Sequence, residues 1–398
     1  MPAYLLPPGW IALAPALPLL AALLVIALRL SGIAQGEAGE RRIAAITLAA
    51  AVPVLALLLA FALQGLVLGW PGQVELGDWF ASGDWRLPLS FTLDGLSLGI
   101  GVVVAFIALA TLRFSLTYMH REAGFPRFFL GMNLFAGGIL LVVLAGNAGL
   151  VFVGWELMGL ASWLLIGYAF DRPTATLNAQ RAFLTNRVGD AGLLLAIILS
   201  FLWLGGIDWP TLAAGATRLP TLYLSLIALG FVTAALAKSA QVPFTPWISR
   251  ALEGPTPSSA IFYGAVMVHA GVFLLARLAP LLGETQGVLF IVAVLGALTA
   301  LYGWLVGYVQ TDVKSALLCA SLAQVGLMFL AIGLGWFELA AWHAALHALW
   351  RAWQFLAAPS YMHMLDGPAP PAPAWLARRG WLYTAALQRF WLEPLADR

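Results

Sequence analysis

The sequence predicts an all-α polytopic membrane protein, and three observations carry that prediction. Of its 398 residues, 62% are hydrophobic and only 10% are charged, against roughly 25% charged in an ordinary soluble domain. The mean hydropathy is +0.91. Apolar stretches of about 20 residues, the length a helix needs to cross a bilayer, recur along the chain. So apolar a chain cannot cover a soluble surface with polar side chains, and the lipid bilayer must solvate it. Composition excludes a soluble enzyme, a nucleic-acid binder and a disordered protein. The net charge of +2 offers no basic patch for a polyanion. A single cysteine, Cys319, excludes internal disulfides, cysteine-rich zinc sites and cysteine-bound iron–sulfur clusters.

Eleven spans are expected, at about 10–30, 43–70, 92–112, 128–145, 149–170, 184–205, 221–249, 256–281, 287–308, 313–333 and 336–358. They are too long for barrel strands. Met1 to Trp10 carries no positive charge, and the apolar run Ile11 to Leu28 is long enough to span, so the first segment reads as a helix and not a cleaved signal. Gly367 to Pro373 reads as a Pro-rich linker. Trp375 to Leu395 mixes Trp, Leu and Phe with Arg378, Arg379 and Arg389, the pattern of an amphipathic interfacial helix.

Basic residues orient the bundle. With the N-terminus outside, inner segments hold thirteen arginines, among them Arg29, Arg41, Arg42, Arg113, Arg121, Arg127, Arg172, Arg181 and Arg250; outer ones hold only Arg86, Arg218 and Arg277. The outer loop Gly72 to Leu87 carries Glu75, Asp78 and Asp84. Most tryptophans fall near span ends and read as interfacial anchors.

Four basic residues remain, all inside apolar spans: Arg187, Lys238, Lys314 and Arg351. The two lysines among them are the only lysines of the chain. A charge in hydrocarbon costs at least about 2.5–3.5 kcal/mol, so something must offset it. Arg keeps its proton, whereas a buried Lys can cycle between charged and neutral. Two buried lysines therefore suit titration; the competing reading is a static ion pair. Glu156 is the carboxylate well inside the fifth span, and Lys238 is its expected partner, a pair that would switch as the lysine gains and loses its proton. Pro243 and Pro246 follow Lys238 and break the helix, so Ser239, Gln241 and Thr245 should line a polar pocket. His343, His347 and Arg351 fall at i, i+4 and i+8 on one helical face. With His269, three of the five histidines lie in spans. Stacked imidazoles suit a proton relay, and Lys314 is expected to feed that face; the competing readings are a metal site or hydrogen-bonded core histidines. Arg187 and Asp190, at i and i+3, are expected to pair structurally. No dinucleotide fingerprint, phosphate loop, HExxH or CxxC occurs, so no cofactor is expected and the chain has no catalytic site of its own.

Gly154-Trp-Glu-Leu-Met-Gly-Leu160, Lys238-Ser-Ala-Gln-Val-Pro-Phe244, Glu253-Gly-Pro-Thr-Pro-Ser-Ser-Ala260, Gln310-Thr-Asp-Val-Lys-Ser315 and His343-Ala-Ala-Leu-His347 together resemble the antiporter-like subunits of respiratory complex I. The large L-type subunit is the nearest form, with relatives among Mrp-type antiporters and inorganic-carbon accumulators. The resemblance runs from Leu93-Asp-Gly-Leu-Ser97 to about Pro359, roughly two thirds of the chain. It implies an antiporter-like inverted-repeat bundle in a bacterial inner (plasma) membrane, with the C-terminus cytoplasmic. Its implied divisions are 1–91 (N-terminal helices and outer loop), 92–281 (first half-channel), 282–360 (partial second half-channel) and 361–398 (linker and terminal helix). It implies Glu156 and Lys238 as the charged pair, Lys314 as the axis lysine, and His343 and His347 as the axis histidines. Where the family commonly has a histidine this chain has Tyr263, and His269 is expected to substitute. The family's second repeat is expected to be incomplete here, its outward half-path completed by another subunit.

Three functions follow. The first is a proton-translocating subunit of a complex I-like assembly, its partners being other membrane subunits and a redox module. The second is the membrane subunit of an inorganic-carbon uptake system, energised by the proton gradient and partnered by a zinc-dependent, carbonic-anhydrase-like subunit. The third is a non-conducting scaffold.

Overall fold

The computed structural model describes residues 5–83, 85–358 and 371–396; the side chains of residues 85, 263–265, 395 and 396 lie outside that description. Helix α1 (Leu13–Leu30) follows a 3-10 turn, and α2 is Gly36–Leu68. A hairpin of β1 (Gly72–Ser82) and β2 (Trp85–Leu93) comes next. Helices then run α3 (Gly95–Tyr118), α4 (Phe125–Leu144), α5 (Ala148–Ile166), α6 (Pro173–Leu204) and α7 (Thr221–Lys238). Then come α8 (Thr256–Arg277), which contains a π-helical and a 3-10 segment, α9 (Gln286–Gly307), α10 (Val313–Gly333) and α11 (Phe337–Ala357).

Among the described residues, ten helices are long and apolar enough to cross a membrane. The chain is a multi-pass membrane protein with the polytopic helical fold that the sequence predicted. The eleventh expected span forms α11 but is not one of the ten; Glu338, His343, His347 and Arg351 dilute its apolar residues. Local signals place the helix starts. Asp94, Asn147 and Asp312 each cap a helix by accepting a backbone N–H at 2.8–2.9 Å. Gly205 closes α6 in the left-handed conformation.

Helices α4 and α8 are the centre of the bundle: 83% and 93% of their most apolar windows are buried, against 33% for α2 and α6. Helix α4 packs on α1 and α5, α6 on α7, and α9 on α10.

Two expectations need correction. The outer loop is the antiparallel hairpin β1–β2, with two register irregularities. It is tied to the α4–α5 turn: Asn147 Nδ2 donates to Pro88 O at 2.9 Å, and Gly146 N to Ser90 O at 2.8 Å. The terminal segment is not one amphipathic helix but three short ones, Ala374–Ala377, Gly380–Leu387 and Leu392–Ala396, broken by left-handed residues at Arg389, Phe390 and Trp391. Of the expected linker, residues 367–370 lie outside the described residues.

Candidate functional site

Helix α7 stops at Lys238, and a short helix resumes at Pro246–Arg250. Pro243 and Pro246 bring no N–H, so the ladder cannot continue. Ala240 adopts φ 51°, the left-handed turn that ends helices. The freed backbone groups find specific partners. Trp247 Nε1 donates to Ala237 O at 2.9 Å, and Val242 N to Thr299 Oγ1 at 3.0 Å. Ser239, Gln241 and Thr245 are buried, as expected of a polar pocket. Ser239 Oγ and Gln241 Oε1 have no protein hydrogen-bond partner, so the break leaves polar capacity inside the bundle.

Lys238 is the last residue before this break, and its side chain is only 1% exposed. Its expected contact with Glu156 is not made. Its ion-pair partner is Asp190 (Nζ to Oδ1, 3.7 Å), and Nζ also donates to Trp155 O at 3.5 Å and lies 5.1 Å from the Trp155 ring centroid. Glu156 pairs instead with Arg187, whose Nε also sits 3.0 Å from Asp190 Oδ2. The order is therefore Glu156, Arg187, Asp190, Lys238, two acids and two bases alternating. The reason is geometric. Arg187 and Asp190 share a face of α6 one turn apart, and Arg187 reaches Glu156 on α5 while Asp190 faces α7. Close approach of α6 and α7 requires Gly192 and Gly230: a Cβ on either would stand under 3.0 Å from the other's carbonyl oxygen. The i, i+3 pair was legible in the sequence; Asp190 as the partner of Lys238 was not, because no local pattern encodes an α6–α7 contact. Nor do all tryptophans serve as interfacial anchors, since Trp155 and Trp247 are buried here.

The second group lies on α8 and α11. His269 Nε2 and His347 Nδ1 are 2.9 Å apart. This contact brings His269 into the histidine row, the place the sequence reading gave it; the side chain of Tyr263 lies outside the described residues. His343 sits 6.0 Å from His347, ring to ring, and Nε2 bonds Gln324 Oε1 at 2.9 Å. Arg351 Nη2 donates to His347 Nε2 at 3.4 Å. Guanidinium has no acceptor, so in a neutral His347 Nε2 accepts and the proton resides on Nδ1, aimed at His269. Among the described residues no cluster of His, Cys, Asp and Glu could hold a metal.

Among the described residues the Lys314 side chain bonds Thr256 and no member of this row. Lys314 is the second residue of α10, and its Nζ donates to Thr256 Oγ1 at 2.5 Å; Tyr118 OH is 3.1 Å from the same hydroxyl. Gln324, the partner of His343, lies ten residues further on α10, about 15 Å along the axis. Helices α7 and α8 pack closely at Ser239: a Cβ on Gly271, two residues beyond His269, would come within 2.3 Å of Ser239 Oγ.

Fold and site together define a polytopic membrane protein with a helix broken beside an ion-pair chain whose inner pair, Asp190 and Lys238, is buried. Residues 145–367 match the family described as NADH:quinone oxidoreductase/Mrp antiporter, transmembrane, and residues 79–129 match the N-terminus of complex I chain 5. The chain belongs to the NADH:quinone oxidoreductase/Mrp antiporter family. It is 34% identical over 364 residues to NAD(P)H-quinone oxidoreductase chain 5 of Synechocystis, covering 89% of this chain and 53% of that protein. It is 37% identical over 289 residues to NADH-quinone oxidoreductase subunit L of Mycobacterium tuberculosis, covering 72% of this chain and 46% of that one. A structure of the Mrp complex from a Dietzia species superposes with TM-score 0.72 at 28% identity, over 87% of this chain and 37% of that one. The chain thus spans about half the length of these curated relatives.

Proposed function

We propose that this chain is a proton-translocating membrane subunit of a complex I-like assembly. The observation that carries the reading is the fully buried Lys238, paired to Asp190 at the mouth of a broken helix. A buried lysine is worth its desolvation cost where its proton comes and goes. Arg187 supplies a fixed charge between two carboxylates. When Arg187 draws on Glu156, Asp190 is left to hold Lys238 charged. When Arg187 draws on Asp190, Lys238 loses its counter-ion and passes its proton to the pocket at Ser239 and Gln241. From there the proton goes to His269 and along His347 and His343. Pro243 and Pro246 keep the pocket open, Arg351 orients His347, and Lys314 stands at the far end of α10, where Thr256 and Tyr118 link it to the bundle. The subunit works beside other membrane subunits and takes its driving force from a redox module, with the N-terminus outside and the C-terminus cytoplasmic.

The test is proton flux in sealed vesicles, read with a pH-sensitive dye, for the native assembly carrying Lys238→Ala. Coupled flux disappears while the protein inserts normally; undiminished flux removes Lys238 from the mechanism. Flavin and iron–sulfur absorbance in the isolated assembly supports the redox partner. A co-purifying zinc protein with CO2-dependent uptake replaces it with the inorganic-carbon reading.

A further inference from the structure

On the side of the bundle opposite the hairpin, α1 ends and α4 begins. Between them lies an open cleft of about 260 Å³. Its α1 wall is Val25, Ile26, Arg29 and Leu30; its α4 wall includes Gly124, Arg127 and Leu130. The two arginines are the polar heads of an otherwise apolar cleft. Neither forms an ion pair with a carboxylate among the described residues. Arg127 is held in place by other means: Nη2 donates to Tyr168 O at 2.8 Å, and the guanidinium stacks 5.0 Å and 4.5 Å from the Tyr168 and Phe170 ring centroids. Nearby acids are largely engaged elsewhere. Glu37 bonds Arg121, and Glu40 accepts from His120 and from Arg121 N. Glu122 lines the neighbouring cavity with Arg29 but bonds neither arginine.

We propose that this cleft binds the phosphate of an anionic glycerophospholipid. Two guanidinium groups without a carboxylate ion pair line one cleft, and guanidinium is the side chain best suited to donate to phosphate oxygens. They stand at the end of a membrane-crossing helix, the depth at which headgroups lie. The cleft is open to lipid, since Leu30 is 83% and Ile26 is 37% exposed. Leu20 and Leu23, also exposed, continue the same side of α1 toward the bilayer centre and give the acyl chains an apolar track.

The full chain, purified in mild detergent and incubated with mixed phosphatidylglycerol and phosphatidylcholine vesicles, is read by native mass spectrometry. Wild type retains phosphatidylglycerol at least about tenfold over phosphatidylcholine, a discrimination of about 1.4 kcal/mol. Arg29→Gln together with Arg127→Gln removes that preference. Arg29→Gln alone, at an exposed position that bonds no other described residue, reduces it without a folding defect. Equal retention of both lipids by wild type, or unchanged preference in both variants, overturns the proposal. Displacement of the lipid by millimolar inorganic phosphate also overturns it, because the site would then be one for the free anion.

Discussion

The cluster on α5, α6 and α7 and the row on α8 and α11 both bury charge, but they differ in one respect. The cluster has carboxylates and a shared arginine: Arg187 touches Glu156 and Asp190, and Asp190 touches Lys238. Its arginine has two carboxylate partners and its Asp190 two cationic ones, so the pairing can be redistributed within the cluster. The row contains no carboxylate among its bonded members. Among the described residues Arg351 reaches only His347, and its Nε has no partner. Such a row can transfer a proton but has no second arrangement to fall into. On the proposed function, switching would belong to the first region and conduction to the second.

Lys238→Ala is the largest expected effect, because it removes the group that changes charge. Coupled flux falls to the vesicle background. His347→Ala tests the other side: it removes the middle of the row, and flux falls by about 10²-fold or more, the usual contribution of a positioned proton-transfer group. If His347→Ala retained full flux while Lys238→Ala lost it, conduction would bypass α11 and the division drawn here would fail.

Asp190→Asn and Glu156→Gln then sharpen the division within the cluster. Asp190 bonds both cations, Glu156 only Arg187. Asp190→Asn is expected to reduce flux more than Glu156→Gln, by about tenfold in the same dye assay. The reverse order would restore Glu156 as the working partner of Lys238. Lys314→Arg follows. It keeps the charge and a donor to Thr256 but cannot release a proton. Reduced flux in that variant marks Lys314 as titrating; wild-type flux marks it as a static bond to Thr256.

The fold class was legible because bilayer thickness imposes a length on every apolar run, and that length needs no knowledge of neighbours. The break after Lys238 was legible because proline acts on its own backbone. The histidine face was legible because i, i+4 spacing is local. What escaped was whatever depends on which helices touch. Asp190 rather than Glu156 meets Lys238 because Gly192 and Gly230 let α6 and α7 close up. Lys314 is remote from His343 because about half of α10 runs between Lys314 and Gln324, the partner of His343. The hairpin at Gly72–Leu93 escaped for another reason: β1 is mostly exposed and β2 ends in the buried run Ser90 to Leu93, so neither strand shows a strict alternation of apolar and polar residues.

A third ion pair serves as the control for the comparison. Asp94 caps α3 and takes two bonds from Arg277 at the end of α8, at 2.5 and 2.9 Å, while Arg277 also donates to Ser97 Oγ at 2.7 Å. Among the described residues it has no alternative charged partner and touches neither region, so it should affect stability and not switching. Burial alone would push the Asp94 carboxyl up, but the hydrogen bonds and charge of Arg277 outweigh it and hold the group below the ordinary carboxylate value. With a depressed folded pKa, the stabilisation is fully present above the unfolded value of about 3.9 and is lost only as pH falls through the lower folded one. Asp94→Asn should cost about 1.5–3 kcal/mol, seen as a lower melting temperature that differs from wild type by a constant amount between about pH 5 and 8. The gap should close under acid. Flux per folded molecule should be unchanged. A pH-dependent gap near neutrality would mean that Asp94 titrates with the proton path, and the bundle would then hold a third active region at its outer edge.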